Sequence, residues 1–148
     1  MLKIDLSGWK VLIVEDDPDS LLVAQWLLEL CGATVFSATN GQQGLASVTQ
    51  QRPHFIITDL SMPIMSGWDM LDALKQDRKT MDIPVIALTA HAMVGDRNRA
   101  IAAGFHNFIN KPLQPETFVN QLLKILMDLP NQTVDLPDLS KYRAQSVS

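Results

Sequence analysis

The sequence predicts an α/β fold: a doubly wound, five-stranded parallel sheet with helices on both faces. Five short apolar stretches rich in β-branched residues alternate with five longer stretches of helical period. Strict alternation of strand and helix implies right-handed crossovers, which make the strands parallel and place helices on both faces. The chain has 148 residues, 47% of them hydrophobic, which suits one domain with a substantial core.

The predicted strands are short and read as buried on both faces. KVLIV, for example, has four consecutive apolar residues, three of them β-branched, as expected in a covered parallel sheet rather than in one with a solvated face. The predicted strands are residues 10–14, 34–38, 54–58, 84–88 and 105–109.

The predicted helices carry recognisable start and stop signals. Pro18 lies in the first turn of the first helix and Gly32 just past its end, and Gly104 ends the fourth helix. The predicted helices are residues 18–31, 41–51, 66–77, 93–104 and 115–129.

Charge and composition exclude several functional classes. A net charge of −4 argues against nonspecific binding to nucleic acid or to a membrane surface. No apolar run approaches the roughly 18 residues of a transmembrane helix, and the N-terminus lacks the apolar segment of a signal peptide. The single cysteine, Cys31, cannot form an internal disulfide. We therefore predict a cytoplasmic protein.

We divide the chain into an N-terminal extension (residues 1–8), one domain (9–129) and a C-terminal tail (130–148). The tail has two prolines and no helical period. It is too short for a DNA-binding output domain, which needs about 60 residues or more. The sequence therefore predicts no direct DNA binding and an output that passes through a protein partner.

An acidic cluster follows the first predicted strand. In VLIVEDDPDS the carboxylates Glu15, Asp16 and Asp17 are consecutive, and Asp19 follows two residues later. Two like charges 4 Å apart cost about 4 kcal/mol at the effective dielectric near a protein surface. Solvation, a bound cation or a basic side chain elsewhere in the chain must offset this repulsion.

Polar residues also follow the later strands. Asp59 comes after the third, Thr89 after the fourth and Lys111 after the fifth. The carboxyl ends of parallel strands share one edge, so these side chains should converge with the acidic cluster. The first strand lacks the glycine-rich turn of nucleotide-binding domains. Carboxylate oxygens suit Mg²⁺, so we predict a Mg²⁺ site with Lys111 as a second counter-charge and Asp59 as a potential nucleophile on phosphorus.

Four motifs in order carry a family resemblance. VEDD, IITDLSMPIMSG, ALTAHAM and FINKPL together resemble the receiver domains of two-component response regulators, of the chemotaxis-regulator type, over about residues 9–126. The sequence after the fourth strand is most similar to that of stand-alone receivers and of receivers in hybrid histidine kinases. The resemblance implies a flavodoxin-like (βα)5 fold with strand order 2-1-3-4-5.

The resemblance also implies residue roles. Asp59 matches the phosphoacceptor, Asp16 the direct Mg²⁺ ligand, and Glu15 an acidic partner that reaches the ion through water. Ser61 matches the position whose backbone carbonyl completes the metal shell. The remaining matches are Thr89 as the switch hydroxyl, Lys111 as the lysine of the site, Phe108 as the aromatic switch, and a cis bond between Lys111 and Pro112.

The implied function is that of a phosphoacceptor. A histidine kinase or histidine phosphotransfer protein would donate the phosphoryl group, and the chain would catalyse only its own phosphorylation and dephosphorylation. Homodimerisation is possible within this class. Because Phe108 lacks the hydroxyl of Tyr, we expect its inward position to be well populated even without phosphate. An alternative is a receiver that stores phosphate or docks without signalling.

Other classes fit less well. A haloacid-dehalogenase-type phosphatase needs Asp-x-Asp after its first strand, where Glu15, Asp16 and Asp17 are adjacent instead. A nucleotidyl transferase of the topoisomerase-primase type needs Asp-x-Asp after a later strand, where this chain has DLS. Asp17 also suits the N-cap of the first helix. His54, His91 and His106 lack the spacing of metal ligands.

The first helix is apolar over a wide arc. We predict Val23, Ala24, Leu27, Leu28 and Cys31 as its core stripe, with Leu21 and Leu30 at the margins. Leu22 and Trp26 lie outside this stripe, and we predict that the phosphodonor docks there. Cover by Leu136 or Leu139 of the tail is the alternative.

Overall fold

The computed structural model describes residues 4–90 and 94–129 and contains five strands and five helices. The strands are β1 (Lys10–Val14), β2 (Thr34–Ala38), β3 (Phe55–Asp59), β4 (Val85–Thr89) and β5 (Asn107–Asn110). The helices are α1 (Pro18–Leu30), α2 (Gly41–Gln51), α3 (Gly67–Lys75), α4 (Val94–Ala103) and α5 (Pro115–Met127).

All neighbouring strands pair in parallel, in the order β2-β1-β3-β4-β5. This confirms the predicted fold class and strand order. The chain reverses its direction of travel across the sheet between β1 and β3, and such a switch point leaves a crevice at the carboxyl ends of the strands.

Three strands are shifted from their predicted bounds. β3 and β4 each begin and end one residue later than predicted, so Asp59 pairs with Leu88 as the last residue of its strand. The fifth strand begins at Asn107 rather than at residue 105, because the Phe105 N–H donates to the carbonyl of Ala100 and closes the end of α4. Apolar composition alone could not separate this helix terminus from a strand.

The core forms two clusters, one on each face of the sheet. On one face α1 and α5 pack through side chains such as Leu27 and Phe118, and on the other α3 contributes Met70 and Leu71. Trp9, which precedes the first strand, is buried edge-on against the rings of His54 and Phe55. None of the helices in the described part of the chain has the length and apolar character needed to cross a bilayer.

The N-terminal segment is part of this core. Ile4 and Leu6 are buried in the cluster beneath α1 and α5, and the Leu6 N–H donates to the carbonyl of Cys31 at 2.6 Å. The predicted division into an N-terminal extension (residues 1–8) and a domain (9–129) stays a prediction, but Ile4 and Leu6 of that extension belong to the core. These two apolar side chains fill the end of the helical layer.

The predicted core stripe of α1 needs one correction. Ala24, Leu27, Leu28 and Cys31 are buried as predicted, but Val23 is 40% exposed. Successive helical residues are about 100° apart, so Val23 points away from the arc around Ala24 that meets the sheet.

Candidate functional site

Three carboxylates meet at the carboxyl edge of the sheet. Glu15 and Asp16 follow β1, and Asp59 ends β3. One oxygen from each of these side chains lies within 4.8 Å of the others. Glu15 is buried, Asp59 is half-buried and Asp16 is exposed. The convergence predicted from the sequence is therefore present in the fold.

Lys111 reaches this cluster from the turn after β5. Its Nζ donates a short hydrogen bond to Glu15 and lies 3.3 Å from Oδ2 of Asp59. The Lys111 N–H donates to the carbonyl of Thr89 at 2.8 Å, which links the turn to the end of β4. The Lys111–Pro112 bond is cis, as the family resemblance implied. The ammonium is thus one of the counter-charges that the acidic cluster requires.

Glu15 differs from the other two carboxylates in its surroundings. Its side chain is only 1% exposed. Burial is the main effect, and it raises the pKa of Glu15 from 4.5 to about 7 even though the hydrogen bond from Lys111 acts in the opposite direction. Burial alone would lower the pKa of Lys111, but its hydrogen bond to Glu15 and the charge of Asp59 together raise it. Lys111 is therefore charged near neutral pH, whereas Glu15 titrates there.

The loop after β3 holds the carboxyl of Asp59 through its own backbone. The Leu60 N–H donates to Asp59 Oδ1 at 2.8 Å, and the hydroxyl of Thr58 donates to the Asp59 carbonyl at 2.8 Å. The loop then folds back onto the strand, so a Cβ on Gly67 would lie 2.2 Å from that same carbonyl oxygen. No role at the site was predicted for Gly67. The serine–glycine pair at the helix start was the available signal, with Ser66 capping α3.

Ser61 lies exposed in this loop, two residues after Asp59. The proposed use of its backbone carbonyl as a metal ligand stays a prediction.

Thr89 and Phe108 lie on the neighbouring strands β4 and β5. They line a cavity of about 10 Å³ together with Leu60, Ala87 and two residues of α4. The ring of Phe108 is half-buried, packed on the core cluster that includes Ala87. It is neither fully inward nor outward, so the expectation of a well-populated inward position stays a prediction.

Two other polar residues considered in the sequence, Asp17 and His54, make hydrogen bonds to the backbone that explain their positions. Asp17 caps α1 by accepting hydrogen bonds from the N–H and hydroxyl of Ser20. His54 Nδ1 accepts from the N–H of Lys10, which accounts for this side chain without a metal. His91 lies outside the described residues.

The donor set at this edge fits a hard divalent cation. It offers oxygen atoms from Glu15, Asp16 and Asp59, and Mg²⁺ is commonly held by one or two carboxylates together with water and phosphate oxygens. Lys111 occupies part of the Glu15 carboxylate. Asp16 and Asp59 are thus the more available direct ligands.

An exposed apolar stripe runs along α1 beside the site. Leu22, Trp26 and Leu30 are 67%, 58% and 56% exposed. Leu22 and Trp26 thus lie outside the core, as predicted, and Leu30 lies fully beyond its margin. A cavity of about 180 Å³ separates α1 from the turn that carries Lys111, and Val23 lines it.

The pKa of Glu15 leads to a prediction about metal binding. Raising the pH from 6 to 8 should strengthen Mg²⁺ binding about tenfold, because a carboxyl with a pKa near 7 must lose its proton before it can attract the ion. Glu15→Gln should remove this pH dependence, as measured by calorimetric Mg²⁺ titration. The same pH dependence in the variant would contradict the assignment.

The raised pKa of Glu15 also predicts how the stability of the protein depends on pH. Without metal, folded Glu15 keeps its proton between pH 4.5 and about 7, whereas the unfolded chain loses it. The free energy of unfolding should therefore fall as the pH rises through this window, and Glu15→Gln should flatten that fall.

Comparison with known proteins supports the same family. Residues 11–123 match the family model described as "Response regulator receiver domain". The chain is 34% identical over 118 residues to the polar-differentiation response regulator DivK of Brucella anthropi, covering 80% of this chain and 96% of DivK. It is 32% identical to the sensor histidine kinase GacS of Pseudomonas protegens, of which it spans only 13%.

A solved structure adds a likeness in three dimensions. The receiver domain of the sensor histidine kinase PA1611 of Pseudomonas aeruginosa superposes with a TM-score of 0.74 at 28% identity, covering 82% of this chain and all of that one. That structure has a magnesium ion coordinated in its active-site cleft.

Proposed function

The chain belongs to the response regulator receiver domains, and on this basis we propose that it accepts a phosphoryl group on Asp59. The observation that carries the proposal is the meeting of Asp59 with Glu15, Asp16 and Lys111 at one edge of the sheet. Three acids and one lysine leave negative charge that a divalent cation balances. We propose Mg²⁺ as that ion and the cytoplasm as the compartment.

The proposed step is a transfer between two nucleophiles. A carboxylate oxygen of Asp59 forms a bond to phosphorus while the bond from phosphorus to the donor's histidine nitrogen breaks, and the electron pair leaves with the imidazole. Lys111, 3.3 Å from Asp59, offsets charge on the phosphoryl oxygens. Mg²⁺, when bound, would neutralise further charge on those oxygens.

We further propose that phosphorylation is signalled through Thr89 and Phe108. A phosphoryl oxygen near Thr89 would draw its hydroxyl toward Asp59, and Phe108 would then move into the vacated space. Their shared cavity and the backbone link from Thr89 to Lys111 support this coupling. Output would then pass to a protein partner.

The test of the proposed function uses a small phosphodonor. Incubation with acetyl phosphate and Mg²⁺ should add one phosphoryl group, seen by intact-protein mass spectrometry, and chelation of Mg²⁺ should prevent it. Hydroxylamine should remove the group, since it cleaves acyl phosphates. No incorporation at saturating donor and Mg²⁺ would refute the proposal.

We propose a histidine kinase or histidine phosphotransfer protein as the physiological donor, docked on Leu22 and Trp26. These side chains are the most exposed large apolar groups of α1, and the helix starts beside the acidic cluster. Large aromatic residues of this kind often dominate binding energy at interfaces. A helix packed there could bring its phosphohistidine to Asp59.

Trp26→Ala should slow transfer from the protein donor about 30-fold or more, since an interface hot spot contributes about 2 kcal/mol or more. Phosphorylation by acetyl phosphate should stay unchanged. Ile101→Ala is the matched control, because Ile101 is a comparably exposed apolar residue on α4. Equal rates with the protein donor before and after Trp26→Ala would exclude docking there. A loss of stability without a transfer defect would instead favour cover by the tail, which lies outside the described residues.

A further inference from the structure

Two arginines on α4 each cover an aromatic ring. The guanidinium carbon of Arg97 lies 4.5 Å from the centroid of the Phe108 ring on β5. That of Arg99 lies 4.5 Å from the centroid of the Trp68 ring on α3, and Trp68 in turn packs edge-on against Phe105. Both distances are within the range of cation–π attraction. The two contacts join the same helix to two different elements, and only one involves the proposed switch.

Arg97 and Phe108 also line the small cavity behind the switch. That cavity, of about 10 Å³, holds no more than about one water molecule and is far too small for a phenyl ring. Phe108 cannot move inward unless a neighbour moves away. The cavity is lined by Leu60, Ala87, Thr89, Arg97, Ala100 and Phe108.

The attraction between Arg97 and Phe108 depends on where the ring is. Arg97 is exposed, so its charge is solvated outside the core. A ring that moves toward Thr89 and the interior leaves the guanidinium behind and loses the contact. A contact made in one of two positions shifts the equilibrium toward that position.

We propose that Arg97 is a positioning residue for the aromatic switch: by covering Phe108 it holds the ring half-buried and opposes the inward position that phosphorylation favours. This inference rests on the proposed function, because the inward position matters only if Asp59 is phosphorylated. Arg97 would then shift the balance between the half-buried and inward positions of Phe108 without any partner protein. Removing the cation should make the protein easier to activate.

The test compares Arg97→Met with Arg99→Met. Methionine keeps an unbranched apolar side chain at each position and removes the cation. The first readout is the methyl resonances of Ala87 and Ala100 in the phosphate-free protein, since both residues line the cavity with Phe108 and report ring position. The second readout is affinity for beryllium fluoride in the presence of Mg²⁺, as an analogue of the phosphoryl group on a carboxylate.

For Arg97→Met, we expect both methyl resonances to move toward their positions in the beryllium fluoride complex of the unaltered protein. Affinity for beryllium fluoride should rise about two- to fivefold, the range that corresponds to a cation–π contact at an exposed site. Arg97→Lys should restore part of the original behaviour, and Arg99→Met should leave both readouts unchanged.

Unchanged methyl resonances in Arg97→Met would overturn the inference, as would an equal gain of affinity in Arg99→Met. If beryllium fluoride binds none of the proteins, the proposed function fails. The phosphate-free methyl resonances would then still decide whether Arg97 positions the ring, so the two failures are distinguishable.

Discussion

Asp59→Asn is expected to abolish phosphorylation of this protein by acetyl phosphate and by any protein donor. The amide of Asn is a far weaker nucleophile than a carboxylate and cannot form an acyl phosphate. The change is close to isosteric and keeps an oxygen that can accept the Leu60 N–H, so the loop after β3 should stay in place. Incorporation should fall to the background of a radiolabel assay while the thermal unfolding temperature changes little.

The matched control for this experiment is Asp69→Asn. Asp69 is an exposed carboxylate in the first turn of α3, outside the cluster. The Asp69→Asn variant should be phosphorylated as fast as the unaltered protein. Peptide mapping should place the phosphoryl group on Asp59. Mapping to Asp16, or full labelling of Asp59→Asn, would show that the nucleophile has been misassigned.

Gly67→Ala should destabilise the protein by about 3 kcal/mol, at the upper end of the usual cost of overpacking. The added Cβ would meet the Asp59 carbonyl oxygen at 2.2 Å, and neither backbone segment can yield without moving the other. The expected shift of Asp59 should also slow phosphorylation by acetyl phosphate. Urea unfolding gives the first quantity, and initial rates of labelling give the second.

Gly44→Ala is the control, because Gly44 is also closely packed but its nearest neighbour is a flexible side chain. A Cβ there would meet the sulfur of Met70 at 2.7 Å, the flexible part of a side chain. Gly44 lies within α2, where alanine is favoured over glycine by about 1 kcal/mol. The net destabilisation should therefore be much smaller than for Gly67→Ala. Equal losses in the two variants would show that contact with the Asp59 backbone has no special cost.

Much of the site was predictable because it depends on topology. Once strands and helices alternate, the carboxyl ends of all strands share an edge, so the placement of Asp59 and Lys111 after their strands was enough to bring them together. The capping role of Asp17 was equally local, since it depends only on the next three residues.

Features that depend on tertiary packing were not predictable in the same way. The hydrogen bond between Glu15 and Lys111 joins residues 96 positions apart. No local sequence pattern indicates this bond or the burial of Glu15. Val23 was misplaced because a helix wheel gives relative angles but not the width of the buried arc. The contact of Arg97 with Phe108 joins a helix to the next strand through side-chain positions that the sequence does not encode locally.

The burial of Ile4 and Leu6 has a practical consequence for how this domain can be joined to other proteins. Leu6 enters the fold beside the end of α1, and Leu129 leaves α5 in the same buried cluster. Because strands and helices run in opposite directions, both points lie at the amino edge of the sheet, across the molecule from Asp59. A fluorescent reporter or immobilisation tag joined through a short linker ahead of residue 4 would therefore attach at the opposite pole from the acceptor carboxylate. A fusion that deletes Ile4 or the residues after it would remove apolar side chains from the core.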